Sequence, residues 1–360
     1  MTAASRHAQL LLALLAACAA APGPRPLPQR QDPEQFEGCG DETGAAAYRL
    51  ALVHLQAGRD AEALPLLREV VERCPDNVLA MAYYQDTAIG LGGDAAAAMR
   101  AYYARLPDDA GSPVPAFAKA RLLESNFARK VAVDEVLRRH PSFAYGYLAQ
   151  GRLLRSIGQL QDAAAGFERA IDRHPRLLAA HVELAEVLTE LGRPAEAALA
   201  YENYLRGAPG DRATIRAYVR VALYDLGRAD DARPWIERLL ADDPHDELAQ
   251  MDLAACDWRA GRLDRALQGY LAVLTRRPDN ARAALNIGYL HYDAFGRDDD
   301  TRRAHWPRAR KAFELFLQLV RPEDGYDYFE KVLAVPFRLK AIEELLGPGD
   351  GRTPVLDDLR

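Results

Sequence analysis

The amino-acid sequence predicts an all-α fold, namely a right-handed superhelical solenoid of about eight helix-turn-helix units. The first observation is a recurring glycine, whose last four occurrences are 34 or 35 residues apart. The second is an alanine five positions after each glycine, and the third is a proline seventeen positions after it. These residues are Gly58, Gly158, Gly192, Gly227 and Gly261, then Ala63, Ala163, Ala197, Ala232 and Ala266, and finally Pro75, Pro175, Pro209, Pro244 and Pro278. A fixed period between about 20 and 50 residues is typical of stacked-repeat proteins.

Each period divides into two helices. The segment from Ala144 to Ser156 carries apolar residues three and four positions apart, as one stripe of a helix requires. Gly158 then ends the helix where a tight turn is needed. A second apolar stripe follows around Phe167, and Pro175 closes the unit because proline cannot continue a helix interior. The same pattern recurs in the later periods, which favours a chain of helix pairs.

Small residues allow the two helices of a pair to approach closely. Gly151, Ala185 and Ala254 on the first helices are expected to face Ala163, Ala197 and Ala266 on the second helices. Large neighbours such as Phe167 would fill the space beside them. One pair leaves an apolar face uncovered, so about three or more pairs must stack for stability.

This pattern resembles the tetratricopeptide repeat. The matching features are a small residue seven before the glycine, an alanine five after it, an aromatic residue nine after it and a closing proline. The resemblance covers most of the stretch from about 43 to 322. It is weaker around Gly227, because Arg220 occupies the usual small position, and a charged insertion at 297–305 follows Gly288 in the last unit. It implies a protein or peptide partner bound on the concave face, and it implies no catalysis.

The chain ends are expected to differ from the repeats. The solenoid is predicted to span 43–346 and to finish with a closing helix from about Tyr328 to Leu346. The glycine-rich residues 347–360 are expected to form a flexible tail.

The N-terminal residues predict export. A short apolar run from Leu10 to Leu15 is typical of a signal peptide and is shorter than the roughly 20 residues that span a bilayer. It ends in Leu15-Ala16-Ala17-Cys18, which resembles the bacterial lipoprotein box, so residues 1–18 would be a signal peptide and Cys18 would be acylated. Residues 19–42 are rich in proline and would form a tether.

The resemblance to lipoproteins also implies a location. Without an aspartate after Cys18, it implies the outer membrane of the bacterial cell envelope, facing the periplasm. Two alternatives stay open: ordinary secretion as a soluble periplasmic protein, and a cytoplasmic protein with a chance apolar start.

Export would place the other three cysteines in an oxidising compartment, where disulfides can form. Cys39 precedes the first helix of the first unit, and Cys74 ends that unit's second helix, so a disulfide between them is plausible. The alternative is two free thiols. Cys256 falls at a small, inward helical position and is expected to be a core residue. No CxxC or His/Cys cluster predicts a metal site.

The candidate binding surface lies on the first helices of successive pairs. Tyr224, Trp258 and Tyr292 recur 34 residues apart, and by resemblance to the family they point into the groove. The remaining candidates on this face are Asp225, Arg259, Tyr289, Arg152, Arg155, Glu186 and Glu190. Aromatic residues there would offer flat contact area for a partner. The alternative is that the aromatics pack against the next helix and that the charges are solvated.

Composition and motifs narrow the function classes. With 46 basic and 52 acidic residues and a net charge of −6, the chain is not expected to bind nucleic acid as its main partner. No HExxH, GxSxG or phosphate loop occurs, so we predict no catalytic residues, no metal and no cofactor. The hypothesis is therefore a protein-interaction scaffold at the cell envelope that assists assembly of an envelope or secretion complex. Two rivals are a self-associating structural module without a ligand groove and an enzyme with a site in the insertion at 297–305.

Overall fold

The computed structural model describes residues 41–108, 111–320 and 329–360, and within these ranges the chain is helical and contains no strand. The predicted signal peptide with Cys18, nearly all of the predicted tether and Cys39 lie outside the described residues. No helix within the described ranges is long and apolar enough to cross a membrane.

The helices follow one another in chain order with short connections. They are α1 (Glu42–Gln56), α2 (Asp60–Arg73), α3 (Val78–Leu91), α4 (Gly93–Arg105), α5 (Val114–Arg121), α6 (Asn126–Arg139), α7 (Ala144–Ser156), α8 (Leu160–Arg173), α9 (Leu178–Glu190), α10 (Pro194–Gly207), α11 (Arg212–Val219), α12 (Ala229–Asp242), α13 (Glu247–Arg259), α14 (Leu263–Arg276), α15 (Ala281–Tyr289), α16 (Asp299–Leu319) and α17 (Phe329–Leu346). The chain divides into two compact units between Val187 and Leu188, inside α9.

In the first unit, each helix from α1 to α7 packs against the next one in the chain, as in α1 with α2 and α7 with α8. The turn between α7 and α8 contains Gly158 with φ of 77°, a left-handed conformation that glycine adopts without steric cost. Gly151 and Gly166 bring α7 and α8 together, since a Cβ added to Gly166 would lie 3.1 Å from the Cα of Gly151. Phe167 fills the adjacent space and is fully buried, as the sequence predicted.

Two first helices of the second unit continue as π-helical turns, Arg220–Asp225 after α11 and Leu290–Phe295 after α15. The cause is an extra residue. The spacing from the N-cap Asp211 to the turn glycine Gly227 is about one residue longer than the spacing from Asp246 to Gly261 in the next pair. A π-turn accommodates one additional residue in a helix.

The π-turn corrects the prediction for the unit around Gly227. Counted from the N-cap Asp211, Val219 occupies the position that Ala254 occupies relative to Asp246. Val219 is buried, whereas Arg220 is exposed. Arg220 therefore does not interrupt the contact between the two helices of this unit.

The charged insertion at 297–305 is helical over most of its length. Asp298 is the N-cap of α16: its carboxylate accepts from the backbone N–H of Thr301, and the Thr301 hydroxyl accepts from the backbone N–H of Asp298. Asp299 and Asp300 occupy the first turn, where the positive end of the helix dipole favours carboxylates. The aspartate run thus starts a helix of 21 residues.

The segment 347–360, for which the sequence predicted a flexible tail, makes several specific contacts in the described structure. Leu356–Leu359 forms a 3₁₀ turn, and the side chain of Leu359 is fully buried against the second unit. Lys311 of α16 binds the Asp350 carboxylate and donates to the carbonyl of Arg352 at 3.0 Å. These contacts outweigh the local tendency of the glycine-rich segment to fray.

The cysteines occupy distinct environments. Cys74 is the C-cap of α2 and is disulfide-bonded. Its pairing with Cys39 stays a prediction, since Cys39 lies outside the described residues. Cys256 is a free, buried thiol, and burial raises its pKa to about 11.

Candidate functional site

The charged candidates of the first unit form an ion-pair network. Arg152 and Arg155 lie on α7 and reach across to α9. Arg152 Nε is 2.8 Å from Glu183 Oε1, and Arg155 Nη1 is 2.5 Å from Glu186 Oε2 and 3.4 Å from Glu183 Oε2. The predicted Arg152, Arg155 and Glu186 therefore lie together. Glu183, which no sequence pattern singled out, is the most buried of the four side chains.

Glu190 is the last residue of α9 and belongs to the second unit. It is exposed. The structure therefore places it in a different unit from Glu186, with which the sequence analysis had grouped it.

Tyr224 is the centre of a polar network in the second unit. Its hydroxyl donates to Asp252 Oδ1 of α13 at 2.6 Å, and Arg282 Nη2 of α15 donates to that hydroxyl at 3.2 Å. The Arg282 guanidinium also lies over the Tyr224 ring, 5.7 Å from its centroid. Tyr224 lies in the π-turn after α11, Asp252 on α13 and Arg282 on α15, so three successive first helices contribute a side chain to this network.

Asp252 is the buried acid of this network, with only 6% of its surface exposed. Burial raises its pKa, and the Tyr224 hydrogen bond and the positive charge of Arg282 act in the opposite direction. The pKa of Tyr224 is raised as well, mainly by its own burial. Its hydroxyl therefore remains a hydrogen donor to Asp252 across the physiological pH range.

Two arginines of α11 bind one buried aspartate at the start of α13. Asp246, the N-cap of α13, accepts from Arg212 at 3.0 Å and from Arg216 at 2.5 Å, and its other oxygen accepts from the backbone N–H of Ala249. The Asp246 side chain is almost fully buried, while about a third of each arginine side chain is exposed. The sequence analysis did not identify these residues. The available signal was the position of Asp246 at the start of a helix, two residues after a closing proline.

Trp258 is half-buried in an apolar cluster of the second unit. The next residue, Arg259, is exposed. Its guanidinium lies beside the turn glycine Gly227, since Arg259 Nη1 would be 3.3 Å from a Cβ added there. Asp225 is exposed and lies 3.6 Å from Arg220. These three predicted residues therefore combine one anchored aromatic with two accessible charges of opposite sign.

Tyr289 and Tyr292 lie beside the closing helix. The Tyr292 ring stacks on Trp306 of α16 with centroids 4.7 Å apart, and the Tyr289 ring meets Phe313 edge-on at 5.5 Å. Arg338 of α17 lies over both tyrosines, 4.8 Å from the centroid of Tyr289 and 5.6 Å from that of Tyr292. Cation–π contacts of this kind are worth about 0.5–2 kcal/mol each.

The three aromatics predicted as a ladder have different surroundings. Tyr224 is held in a polar network, Trp258 in an apolar cluster and Tyr292 between Trp306 and Arg338. Asp293, which follows Tyr292, is exposed, and partial burial raises its pKa. The candidate surface is thus composed of separate aromatic sites, of which those of Tyr224 and Tyr292 each carry an arginine over the ring.

The insertion at 297–305 was the place where the sequence left room for an enzyme site. Its side chains make capping and packing contacts there. Asp298 caps α16, Arg302 lies over the Trp306 ring at 5.4 Å, and His305 stacks on Phe295 at 4.6 Å. Among the described residues, no group of three or more His, Cys, Asp or Glu side chains could hold a metal ion.

Comparisons with known proteins identify the repeats. Tetratricopeptide-repeat family models match residues 35–78, 148–212 and 223–287. A comparison with curated proteins finds no significant match.

Solved structures of repeat proteins are also similar. YrrB, described as a tetratricopeptide-repeat protein with an unusual peptide-binding site, is 20% identical over 57% of this chain and 98% of its own, with a TM-score of 0.42. PilW, described as a type IV pilus biogenesis factor, is 19% identical over 58% and 98%, with a TM-score of 0.41. The repeat protein TTC0263 of Thermus thermophilus is 22% identical over 50% and 99%, with a TM-score of 0.36.

Proposed function

Because three stretches of this chain are tetratricopeptide repeats, we propose that it is a non-catalytic scaffold that binds a protein or peptide partner at the bacterial cell envelope. The partner would lie on the face that α11, α13 and α15 share in the second unit. The observation that supports this proposal is the contact of Arg282 with Tyr224 past α13, which joins side chains from the first helices of successive pairs.

The chemistry of this face suits a peptide. Tyr224, Tyr289 and Tyr292 present partly exposed aromatic rings, and Arg282 and Arg338 lie over them. Aromatic and arginine side chains dominate the binding energy of many protein interfaces. Their positions are already restricted by mutual contacts, which reduces the side-chain entropy lost on binding. A folded helix or an extended segment could use the same face.

Substitution of the aromatic residues tests the surface. We expect Trp258→Ala and Tyr292→Ala each to lower the affinity for the partner about tenfold or more, which corresponds to roughly 1.4 kcal/mol. The measurement is capture of envelope proteins by the immobilised chain, followed by titration with the captured partner. Circular dichroism checks that both variants remain helical.

Phe127→Ala is the matched control. Phe127 lies on α6, a second helix of the first unit, and 77% of its surface is exposed. Its loss should leave capture unchanged. Equal capture by wild type, Trp258→Ala and Tyr292→Ala, with intact helical content, would show that this face is not the binding surface. A stable homo-oligomer in light scattering that these substitutions dissociate would instead favour the self-associating module.

Anchoring through Cys18 is the second part of the proposal. It is supported by the Leu15-Ala16-Ala17-Cys18 sequence after the apolar run. A single acyl chain gives only marginal membrane binding, and the two or three chains of a mature lipoprotein give durable anchoring. Anchored in this way in the outer membrane and facing the periplasm, the scaffold would meet its partner at the membrane surface and assist assembly of an envelope or secretion complex.

Cys18→Ala tests the anchor. We expect the variant to lose incorporation of radiolabelled palmitate and to move from the membrane fraction to the soluble fraction. Cys256→Ala is the control, since Cys256 is buried in the core and should not affect labelling. Palmitate labelling that persists in Cys18→Ala would contradict acylation at this cysteine.

A further inference from the structure

The C-terminal segment 347–360 docks onto α16 through several separate contacts. Arg310 Nη2 donates to the carbonyl of Gly347 at 2.6 Å, Lys311 binds Asp350, and Arg308 Nε donates to the carbonyl of Arg360. Leu359 inserts into the same apolar cluster as Val273 and Ala294. The segment therefore covers apolar surface that would otherwise face water.

Two imidazoles lie beneath this segment. His291, in the π-turn after α15, is 1% exposed, and His305 on α16 is partly exposed. Their Nδ1 atoms are 3.1 Å apart, and His291 Nε2 is 3.1 Å from the carbonyl oxygen of Leu359. His305 is stacked on Phe295, which holds its ring orientation.

The hydrogen positions follow from these partners. A carbonyl oxygen only accepts, so Nε2 of His291 carries a hydrogen and donates it to Leu359. In the neutral ring, Nδ1 of His291 is then an acceptor, and Nδ1 of His305 must carry the hydrogen between the two rings. The result is a directed chain from His305 to His291 to the carbonyl of Leu359.

This chain tolerates one extra proton but not two. The first can be placed on Nε2 of His305, and both hydrogen bonds remain. A second would have to occupy Nδ1 of His291, where it would remove the acceptor and place two N–H groups against each other. Two adjacent cations in a buried site are also costly, because burial disfavours the charged form of each.

We propose that His291 and His305 form a proton-operated latch, which holds the C-terminal segment on the second unit at neutral pH and releases it when both rings are protonated. Release would uncover the apolar slot that Leu359 fills between α14 and α16. The latch would thus expose apolar surface of the second unit in an acidic environment. The inference rests on the contacts of His291 with His305 and Leu359, which none of the proposed partner-binding residues makes.

The surrounding charges determine the direction of the pH effect. The pKa of His291 is lowered to about 4, mainly by burial; the Leu359 carbonyl opposes this shift, and His305 and Arg308 contribute to it. For His305, burial and Arg308 lower the pKa and Asp264 of α14 raises it. Arg360 on the segment itself is paired with Asp357 at 3.2 Å.

Docking of the segment is favoured at higher pH, because His291 is neutral in the docked state. A released imidazole takes up its proton near pH 6.5, whereas the docked His291 does so only near pH 4. Docking is therefore fully favoured above about pH 6.5 and is weakened about tenfold for each pH unit as the pH falls toward 4. The Lys311–Asp350 contact stays intact in this window, since Lys311 holds the pKa of Asp350 far below its usual value.

Amide hydrogen exchange of the full chain between pH 7 and pH 4 measures the latch. We expect the protection of residues 356–359 to fall about a hundredfold between pH 6.5 and pH 4.5, while the amides of α14 keep theirs. His291→Gln should abolish this fall, because a glutamine amide can donate to Leu359 and accept from His305 without titrating. His305→Gln should also reduce the fall, because a glutamine amide there can turn its oxygen toward the protonated Nδ1 of His291 and accept from it.

The matched control is His245→Gln, which removes an exposed histidine of the same unit and should behave as wild type. The proposal is wrong if the amide protection of residues 356–359 does not change with pH in the wild type. It is also wrong if this protection falls equally in His291→Gln, or if the amides of α14 lose their protection at the same pH. Should His291→Gln release the segment already at pH 7, ¹⁵N shifts of the wild-type ring decide. Protonation of His291 and release of the segment must then share one midpoint, and separate midpoints would overturn the latch.

Discussion

Phe313→Ala is expected to lower the free energy of unfolding by about 3–5 kcal/mol. Phe313 on α16 is fully buried, and its ring fills the space that the absent side chain of Gly288 leaves on α15. It also contacts Tyr289 edge-on at 5.5 Å and Tyr292 at 6.1 Å. Truncation would leave a cavity at the junction of two helices and remove the support of both tyrosines. Urea denaturation followed by circular dichroism gives the change.

Phe337→Ala is the control for this prediction. Phe337 lies on α17 with 76% of its surface exposed, so its removal should change the free energy of unfolding by less than about 0.5 kcal/mol. A loss at Phe337 as large as that at Phe313 would mean that the outer face of α17 is covered in solution. A loss below about 1 kcal/mol at Phe313 would contradict the close packing of α15 and α16.

Gly151→Ala should also destabilise the protein, by about 1–3 kcal/mol, although alanine is the better helix former. An added Cβ would lie 2.6 Å from Cε1 and 2.7 Å from Cδ1 of the buried Phe167 ring. The Phe167 ring is fully buried, and the backbones of the two helices already approach closely where Gly166 faces Gly151. The same denaturation measurement applies.

Gly90→Ala is the matched control, for which we expect a gain in stability and not a loss. Gly90 lies in α3, and an added Cβ there would meet no atom within 4 Å. The substitution should stabilise the protein by about 0.5–1 kcal/mol, because alanine loses less backbone entropy than glycine. Opposite signs at the two glycines would separate packing from helix propensity. Stabilisation by Gly151→Ala would refute the tight approach of α7 and α8.

The helical repeats could be predicted from sequence because their determinants are local. The glycine turns recur at one spacing, and the structure confirms their left-handed conformation. Phe167 packs beside Gly151 as predicted, and the small residue that the structure places opposite Gly151 is Gly166. The register within α11 could not be predicted in this way. A period counted from the turn glycine does not reveal the extra residue of a π-turn, so Arg220 was assigned a position that Val219 occupies.

Long-range contacts explain the other differences. The segment 347–360 contains glycine and proline and locally favours disorder, yet Lys311 and the slot for Leu359 lie far away in sequence. Asp246 and Asp252 were overlooked because acidic residues on helices are usually solvated. Only the fold shows that they are buried and that Arg216 and Tyr224 donate hydrogen bonds to them. The candidate aromatic positions followed from the repeat, whereas their partners did not.

The two π-turns have a consequence for how this chain tolerates changes in length. Each widened turn takes up one surplus residue within a first helix and leaves the hydrophobic phase of the following helix unaltered. A single-residue deletion within 220–225 could therefore restore an ordinary α-helix, while the same deletion in α13 would rotate every later side chain of that helix by about 100°. Evolutionary insertions and deletions should accordingly concentrate at these two places.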